Sequence, residues 1–266
     1  MAGEPHIRLR GVGKRYDTKD GPVDACGDIN LDVRQSEFVA IVGPSGCGKT
    51  TILKMVAGLV PYTAGEITVG GKRVDRPLTE VGIVFQESIL LDWRDVLSNV
   101  MLQIDIREME RAKYEPVARH LLRSTGLEGF ERKKPYELSG GMRQRVSICR
   151  ALVHDPPLLL MDEPFGALDA LTREQISMDI QRVWMEKRKT AIHITHSIPE
   201  AVLLADRVVV MSPRPGRIER ILEISIPRPR GLAGRKHPRF VEAVDEVTQI
   251  FLARGVLQRA GAPAAP

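Results

Sequence analysis

The chain of 266 residues is poor in cysteine, with only Cys26, Cys47 and Cys149. An odd number without a C-x-x-C pair supplies neither a disulfide framework nor a zinc-ligand set, so the three read as reduced intracellular thiols. No run of about 18 apolar residues occurs, which excludes a bilayer-spanning helix. The opening Met1-Ala-Gly-Glu-Pro-His6 is polar and has no apolar stretch, so no secretory leader is expected. Internal repeats and long low-complexity tracts are missing too. What remains is the composition of an ordinary soluble protein, 43% hydrophobic and 27% charged. That length has room for one α/β domain with a subdomain, or for two small domains. A formal net charge of +5 permits nucleic acid or anionic lipid as a partner and selects neither.

Against these absences one stretch stands out: Gly43, Pro44, Ser45, Gly46, Cys47, Gly48, Lys49 and Thr50, preceded by the apolar run Phe38–Val42 and followed by Thr51-Ile52-Leu53. The order is buried strand, glycine-rich turn and helix, which suits a loop wrapped around a phosphate chain. Gly43, Gly46 and Gly48 let the backbone bend sharply and turn N–H groups inward, and the helix start behind them favours an anion. Lys49 would reach the β- and γ-phosphates as a point charge, and the Thr50 hydroxyl would ligate Mg²⁺. A second pointer is Leu158-Leu-Leu-Met161, a buried strand that delivers Asp162 and Glu163 at its carboxyl end. Ligands of parallel sheets sit at that edge. There Asp162 would orient a hydrated Mg²⁺, and Glu163 would face the γ-phosphate and polarise the attacking water.

The remaining features are weaker taken singly. Short β-type runs with Gly, Asp and Pro turns fill residues 7–42, and Tyr16 falls in a polar turn after Lys14-Arg15, where its ring stacks on a base or, as spacing alone favours, caps a local apolar patch. Gln86 ends the apolar run 81–85 and can face a metal or a water. The pattern turns helical from Leu97 to about Val153. Within it Ser139, Gly140 and Gly141 open a helix with apolar positions Met142, Val146, Cys149, Leu152 and Val153. Such a start is a second potential anion site, although, taken alone, a plain N-cap is the better explanation. Further expectations are a helix from Leu171 to about Arg188, a strand at 191–195 ending in His196, and a strand at 207–211. Beyond Ser212, prolines alternate with arginines, and that basic run reads as solvated. Val241, Val244, Val247 and Phe251 mark a terminal helix, and residues 260–266 read as disordered.

Together these pieces resemble the nucleotide-binding subunit of ATP-binding cassette (ABC) transporters over roughly residues 7–226. The resemblance rests on Tyr16, the Walker A loop Gly43–Thr50, Gln86, Leu138-Ser-Gly-Gly-Met142, the Walker B run ending Asp162-Glu163, Ala167-Leu-Asp169 and His196, all in the family's order. It implies an α/β fold, with a P-loop NTPase (RecA-like) core, an N-terminal antiparallel β-subdomain and an inserted helical signature subdomain. The implied boundaries are about 1–87 and 155–226 for core and β-subdomain and 88–154 for the helical part. Residues 227–266 follow as a basic tail. It also implies ATP and Mg²⁺ as ligands and a homodimer in which Ser139, Gly140 and Gly141 complete the partner's site. Tyr16 would stack on adenine, Gln86 would couple Mg²⁺ to a membrane subunit, Glu163 would be the general base, and His196 would sense the γ-phosphate.

Gly82-Ile-Val-Phe-Gln-Glu-Ser, Leu91-Asp-Trp-Arg94 and Ser212-Pro-Arg-Pro-Gly-Arg217 look like importers of nitrate, sulfonate and taurine-type solutes. On that reading the partners are transmembrane permease subunits and, indirectly, a solute-binding protein, with no nucleic acid. The place is then the cytoplasmic face of the inner membrane, as a peripheral subunit. Met142 stands where many relatives have Gln, and Ser197 where an acid often follows the histidine. A soluble ABC ATPase acting on nucleic acid or ribosomes and an ATP-binding regulatory module without turnover are the alternatives. The former usually carries two cassettes or a long coiled-coil insertion, neither of which is present.

Overall fold

The computed structural model describes residues 4–166 and 168–257. Ala167 and the 260–266 segment therefore lie outside the described residues. Chain contacts divide the molecule into two compact units, one of residues 1–34, 38–77 and 194–266 and the other of 35–37 and 78–193. The division falls inside one strand.

In the first unit, β1 (Ile7–Thr18) and β2 (Gly21–Val33) form a long antiparallel hairpin, and β4 (Ala64–Val69) and β5 (Lys72–Arg73) extend it to a sheet of order β2-β1-β4-β5. Both hairpin strands run well past the short apolar segments that the sequence suggests. Cross-strand ion pairs occupy the exposed positions, Arg10 to Asp32 at 2.6 Å and Arg15 to Asp24 at 2.7 Å. A charged stretch thus reads as a turn yet pairs as a strand. Tyr16 lies in that strand, opposite Val23, and not in a polar turn. Strand β3 (Phe38–Val42) is buried at every position, as its β-branched and aromatic composition favours. It lies parallel to β9 (Arg207–Met211), and β9 is antiparallel to β10 (Ile218–Glu223), a strand with no clear apolar pattern in the sequence.

Helix α1 (Lys49–Val56) follows β3, and α7 (Ile198–Leu204) packs on it. The terminal helix α8 (Pro238–Ala253) packs on α7 and buries Phe240, Ala243, Val247 and Phe251, whereas Val241 is exposed. The buried face follows the 3.6-residue period from Phe240, one position away from the expected Val241. In the basic run before α8, Arg214, Arg217 and Arg220 are exposed as expected, whereas Arg228 is half-buried and Arg230 buried. Arg230 is 3% exposed and donates to the carbonyls of Ile226, Val202, Ala205 and Ile224. Burial, then the neighbouring Arg228, lowers its pKa to about 10, so it remains charged at neutral pH. Arg228 donates to the Leu204 carbonyl and to Asp206, whose other oxygen accepts the Phe38 N–H. These arginines are structural pins.

In the second unit, β7 (Leu158–Asp162) is buried throughout and lies between β8 (Thr190–Thr195) and its parallel partner β6 (Val81–Val84). Helices α2 (Val96–Val100), α3 (Leu102–Ile106), α4 (Arg111–Ser124) and α5 (Gly140–Leu152) enclose a core of Val100, Met101, Ile104, Leu122, Leu127 and Val146, with α6 (Ala170–Lys187) following β7. Helix α5 also buries Gln144, Ser147 and Ile148, so it packs over more than the one apolar face predicted. All three cysteines are buried and outside any disulfide, and burial pushes the Cys26 and Cys149 thiols up to about 11 and about 12. No helix among the described residues is long and apolar enough to cross a membrane.

Candidate functional site

The first unit contains Tyr16, the loop 43–50, Thr51 and His196; the second contains Gln86, Ser139, Gly140, Gly141, Asp162 and Glu163. In the loop, Gly46 and Gly48 have φ of 76° and 93°, a left-handed conformation that glycine adopts without strain. A Cβ on Gly48 would stand 2.8 Å from the Ala25 carbonyl oxygen, so both its dihedral and its surroundings demand glycine. Gly48 is also the N-cap of α1, and it has no side chain to offer the first turn. A helix start capped in this way is of the kind that can receive an anion. The Lys49 side chain is 5% exposed and folds across the loop, with Nζ donating to the Gly43 carbonyl at 2.9 Å and the Pro44 carbonyl at 3.0 Å. Thr50 and Thr51 are half-buried in the first turn.

Tyr16 is 37% exposed, and Lys14 Nζ lies 4.9 Å from its ring centroid, so one face of the ring meets a cation. His196 is exposed at the end of β8. The next residue, Ser197, caps α7: its hydroxyl accepts from the Glu200 N–H at 3.4 Å, and its own N–H donates to the Thr195 hydroxyl at 3.0 Å. A serine here does the helix-capping work that an acid would also do.

In the second unit Asp162 is 7% exposed at the end of β7, and Glu163 follows it with φ 45°. For a side chain of this kind the left-handed region is strained, and the Gly166 N–H donating to the Glu163 carbonyl at 3.1 Å helps to hold it. Gln86 and Glu163 converge on Gly166. Their Nε2 and Oε2 atoms lie 3.7 and 3.8 Å from where a Cβ on Gly166 would stand. Phe165 packs its ring on His193 at 5.5 Å, which leaves that histidine a core residue, as its position inside the strand suggests. The segment around Gln86 is tied to α5, because Gln144 donates to the Phe85 carbonyl at 3.1 Å and Arg150 to the Ser88 and Ile89 carbonyls at 3.0 and 2.8 Å. Gln144 is buried and Arg150 half-buried, and the sequence alone assigns neither side chain a role.

Ser139 is the N-cap of α5, accepting from the Met142 N–H at 3.2 Å, and it is exposed together with Gly140. Gly141 is buried against α6, where a Cβ would meet Thr172 Cγ2 at 2.5 Å. Asp169 caps α6 through the N–H groups of Leu171 and Thr172, bonds that lower its pKa.

These arrangements can be weighed against known proteins. A family profile described as ABC transporter matches residues 26–166. The chain belongs to the ABC transporter family. This cassette is 42% identical over 261 residues to the taurine import ATP-binding protein of Pseudomonas syringae pv. tomato, spanning 96% of this chain and 99% of that one. It is 38% identical over 253 residues to the aliphatic sulfonates import ATP-binding protein of Bacillus cereus, spanning 95% and 98%. A solved dimeric ATP-binding cassette in a post-hydrolysis state, bound to ADP and Pi, superposes with a TM-score of 0.73 at 32% identity, over 82% of this chain and 98% of that one. The fold is therefore the α/β P-loop NTPase fold with its antiparallel β-subdomain, and the protein is an ATP-binding ATPase.

The residues also suit Mg²⁺. Among the described residues no cluster of three His, Cys, Asp or Glu side chains could hold a metal by itself. A Mg²⁺ ion carried largely by phosphate oxygens and water needs no such cluster, only hard oxygens, of which the first unit offers the Thr50 hydroxyl and the second, separately, the Asp162 carboxylate.

Proposed function

We propose that this chain is the ATP-hydrolysing subunit of an importer of a small sulfonate-type anion, and that two copies work as a dimer sharing two ATP molecules. The observation that carries the dimer is the exposed start of α5, with Ser139 and Gly140 at the surface. It is a second anion-binding helix start, in a chain whose phosphate loop already supplies one. The near full-length similarity to taurine and sulfonate import ATP-binding proteins supports the solute class.

In this reading the loop 43–50 and the first turn of α1 hold the triphosphate, Lys49 moves from its carbonyl partners to the β- and γ-phosphates, and Tyr16 stacks on adenine. Ser139, Gly140 and Gly141, at the tip of the helical part 88–154, close the partner's site. Thr50, Gln86 and Asp162 hold Mg²⁺, which neutralises charge on the phosphate oxygens. Glu163 accepts the proton of the attacking water, and His196 hydrogen-bonds the γ-phosphate and registers its loss. Closure on ATP and reopening after hydrolysis move permease subunits at the cytoplasmic face of the inner membrane, where the chain sits as a peripheral subunit. A solute-binding protein delivers the anion from the other side.

An apolar groove of about 560 Å³ beside Gln86, lined by Phe85, Ile89, Leu91, Leu102 and Ile106, suits the permease contact. Two of its residues, Ile89 and Ile106, are more than half exposed. Replacing Glu163 with Gln should lower turnover by about 10²–10⁴-fold while leaving ATP binding intact. Light scattering should then show an ATP-bound dimer. A variant that stays monomeric in saturating Mg-ATP contradicts the shared site. Ile106→Asp should preserve ATPase activity of the isolated subunit and abolish co-purification with the permease.

A further inference from the structure

The Ser212–Arg217 stretch, singled out by its resemblance to the importer group, has no part in the roles above. It forms a tight closed turn between β9 and β10: the Ser212 N–H donates to the Arg217 carbonyl at 3.0 Å, and the Arg217 N–H to the Ser212 hydroxyl at 3.0 Å. Two backbone bonds fasten the turn to β2. The Gly216 N–H donates to the Ala25 carbonyl at 3.1 Å, and the Gly27 N–H to the Gly216 carbonyl at 3.0 Å. From this anchorage the turn touches the phosphate loop twice. Gly216 lies so close that a Cβ there would stand 1.9 Å from the Cys47 carbonyl oxygen. Arg214 Nε donates to the Gly46 carbonyl at 3.2 Å, and its Nη2 covers the outer face of Gly46, 3.4 Å from a Cβ placed there.

We propose that this turn is a clamp that sets the phosphate loop for nucleotide, with Arg214 as its positioning residue. The proposal rests on the reading that residues 43–50 bind the triphosphate. A trans peptide plane carries its C=O and the next N–H on opposite sides. With the Gly46 oxygen drawn outward by Arg214, the Cys47 N–H points the other way, where it reaches the Pro44 carbonyl at 3.4 Å and closes the loop's turn. With the Cys47 oxygen abutting Gly216, the Gly48 N–H points away from the clamp. Two successive peptides at the crest of the loop are thereby oriented from behind, before any anion arrives. Arg214 is exposed, so its contribution is orientation through a directed donor more than a long-range field. Such preorganisation raises affinity without touching the reacting atoms.

The test uses the full chain, fluorescent N-methylanthraniloyl-ATP with Mg²⁺, and steady-state hydrolysis. Arg214→Ala should weaken nucleotide binding about 5- to 20-fold and raise KM for ATP by a similar factor, with kcat within about twofold. Arg214→Lys, which keeps a cationic donor, should recover most of the affinity. Arg217→Ala, on the same turn, should bind as wild type. Gly216→Ala, whose Cβ meets a backbone oxygen, should bind more weakly than Arg214→Ala. Wild-type protein that fails to bind nucleotide overturns the site reading and the clamp together. Wild type that binds while Arg214→Ala matches it overturns the clamp alone, as does an Arg214→Ala variant that loses kcat at unchanged KM, or a lysine variant no better than alanine.

Discussion

Two helix starts in this chain carry glycines, and they are built in opposite ways. At α1 the cap is Gly48 in a left-handed conformation, close against Ala25 and Cys26 of β2, with no side chain of its own to cap the first turn. At α5 the cap is Ser139, whose hydroxyl already takes the Met142 N–H, and the residue after it is exposed at the surface. On the proposed reading the first is an anion receptor ready within one chain. The second is a stable helix end that gains a ligand only when something is brought to it. A single chain should therefore bind ATP at α1 and do nothing at α5 until another copy arrives.

The widest break in the comparison comes from Gly48→Ala. Left-handed strain and the clash with the Ala25 carbonyl should weaken nucleotide binding by the single chain about 100-fold or more, measured by N-methylanthraniloyl-ATP titration. At the other helix, Gly141→Ala should leave monomer binding unchanged but cost about 1–3 kcal/mol of stability through its collision with Thr172. Chemical denaturation measures this, and adding Thr172→Ser, which removes the methyl, should restore most of the loss. Ser139→Ala removes a cap and should cost about 1 kcal/mol, again without affecting monomer binding, while ATPase turnover falls about tenfold or more. The sharpest and smallest case is Gly140→Ala. Its Cβ meets nothing nearer than Leu168 at 3.9 Å, so stability should stay within about 1 kcal/mol of wild type. Any loss of turnover there reports on what the partner brings.

Away from the site, Arg230→Ala should lower stability by about 3 kcal/mol, because four buried carbonyls lose a charged donor, and Tm by about 6–12 °C. Nucleotide affinity of the folded protein should not change. A solvated tail arginine would show neither effect.

The core strands 38–42, 158–162 and 207–211 are legible because each is a continuous apolar run buried on both faces. The phosphate loop is legible because its chemistry is local: glycines, lysine and threonine at fixed spacing. What escapes the sequence depends on distant partners. The charged length of β1 and the strand β10 become strands only through pairing, and the arginines at 228 and 230 read as solvent-facing until the carbonyls and carboxylate that receive them are in place. Arg214 escapes for the same reason, since its acceptor lies 168 residues away at Gly46. The strained φ of Glu163 has no sequence signal either.

On the proposed dimer, turnover needs the α1 start of one copy and the α5 start of another. The direct measurement mixes a Lys49→Ala chain with a chain altered at Ser139 and Gly140, each inactive alone, and follows phosphate release after mixed pairs are verified by dual-tag purification. The account predicts partial recovery, from the single pocket in which an intact lysine loop meets an intact serine-glycine tip. A mixture as inactive as its parents, with mixed pairs present, would contradict it.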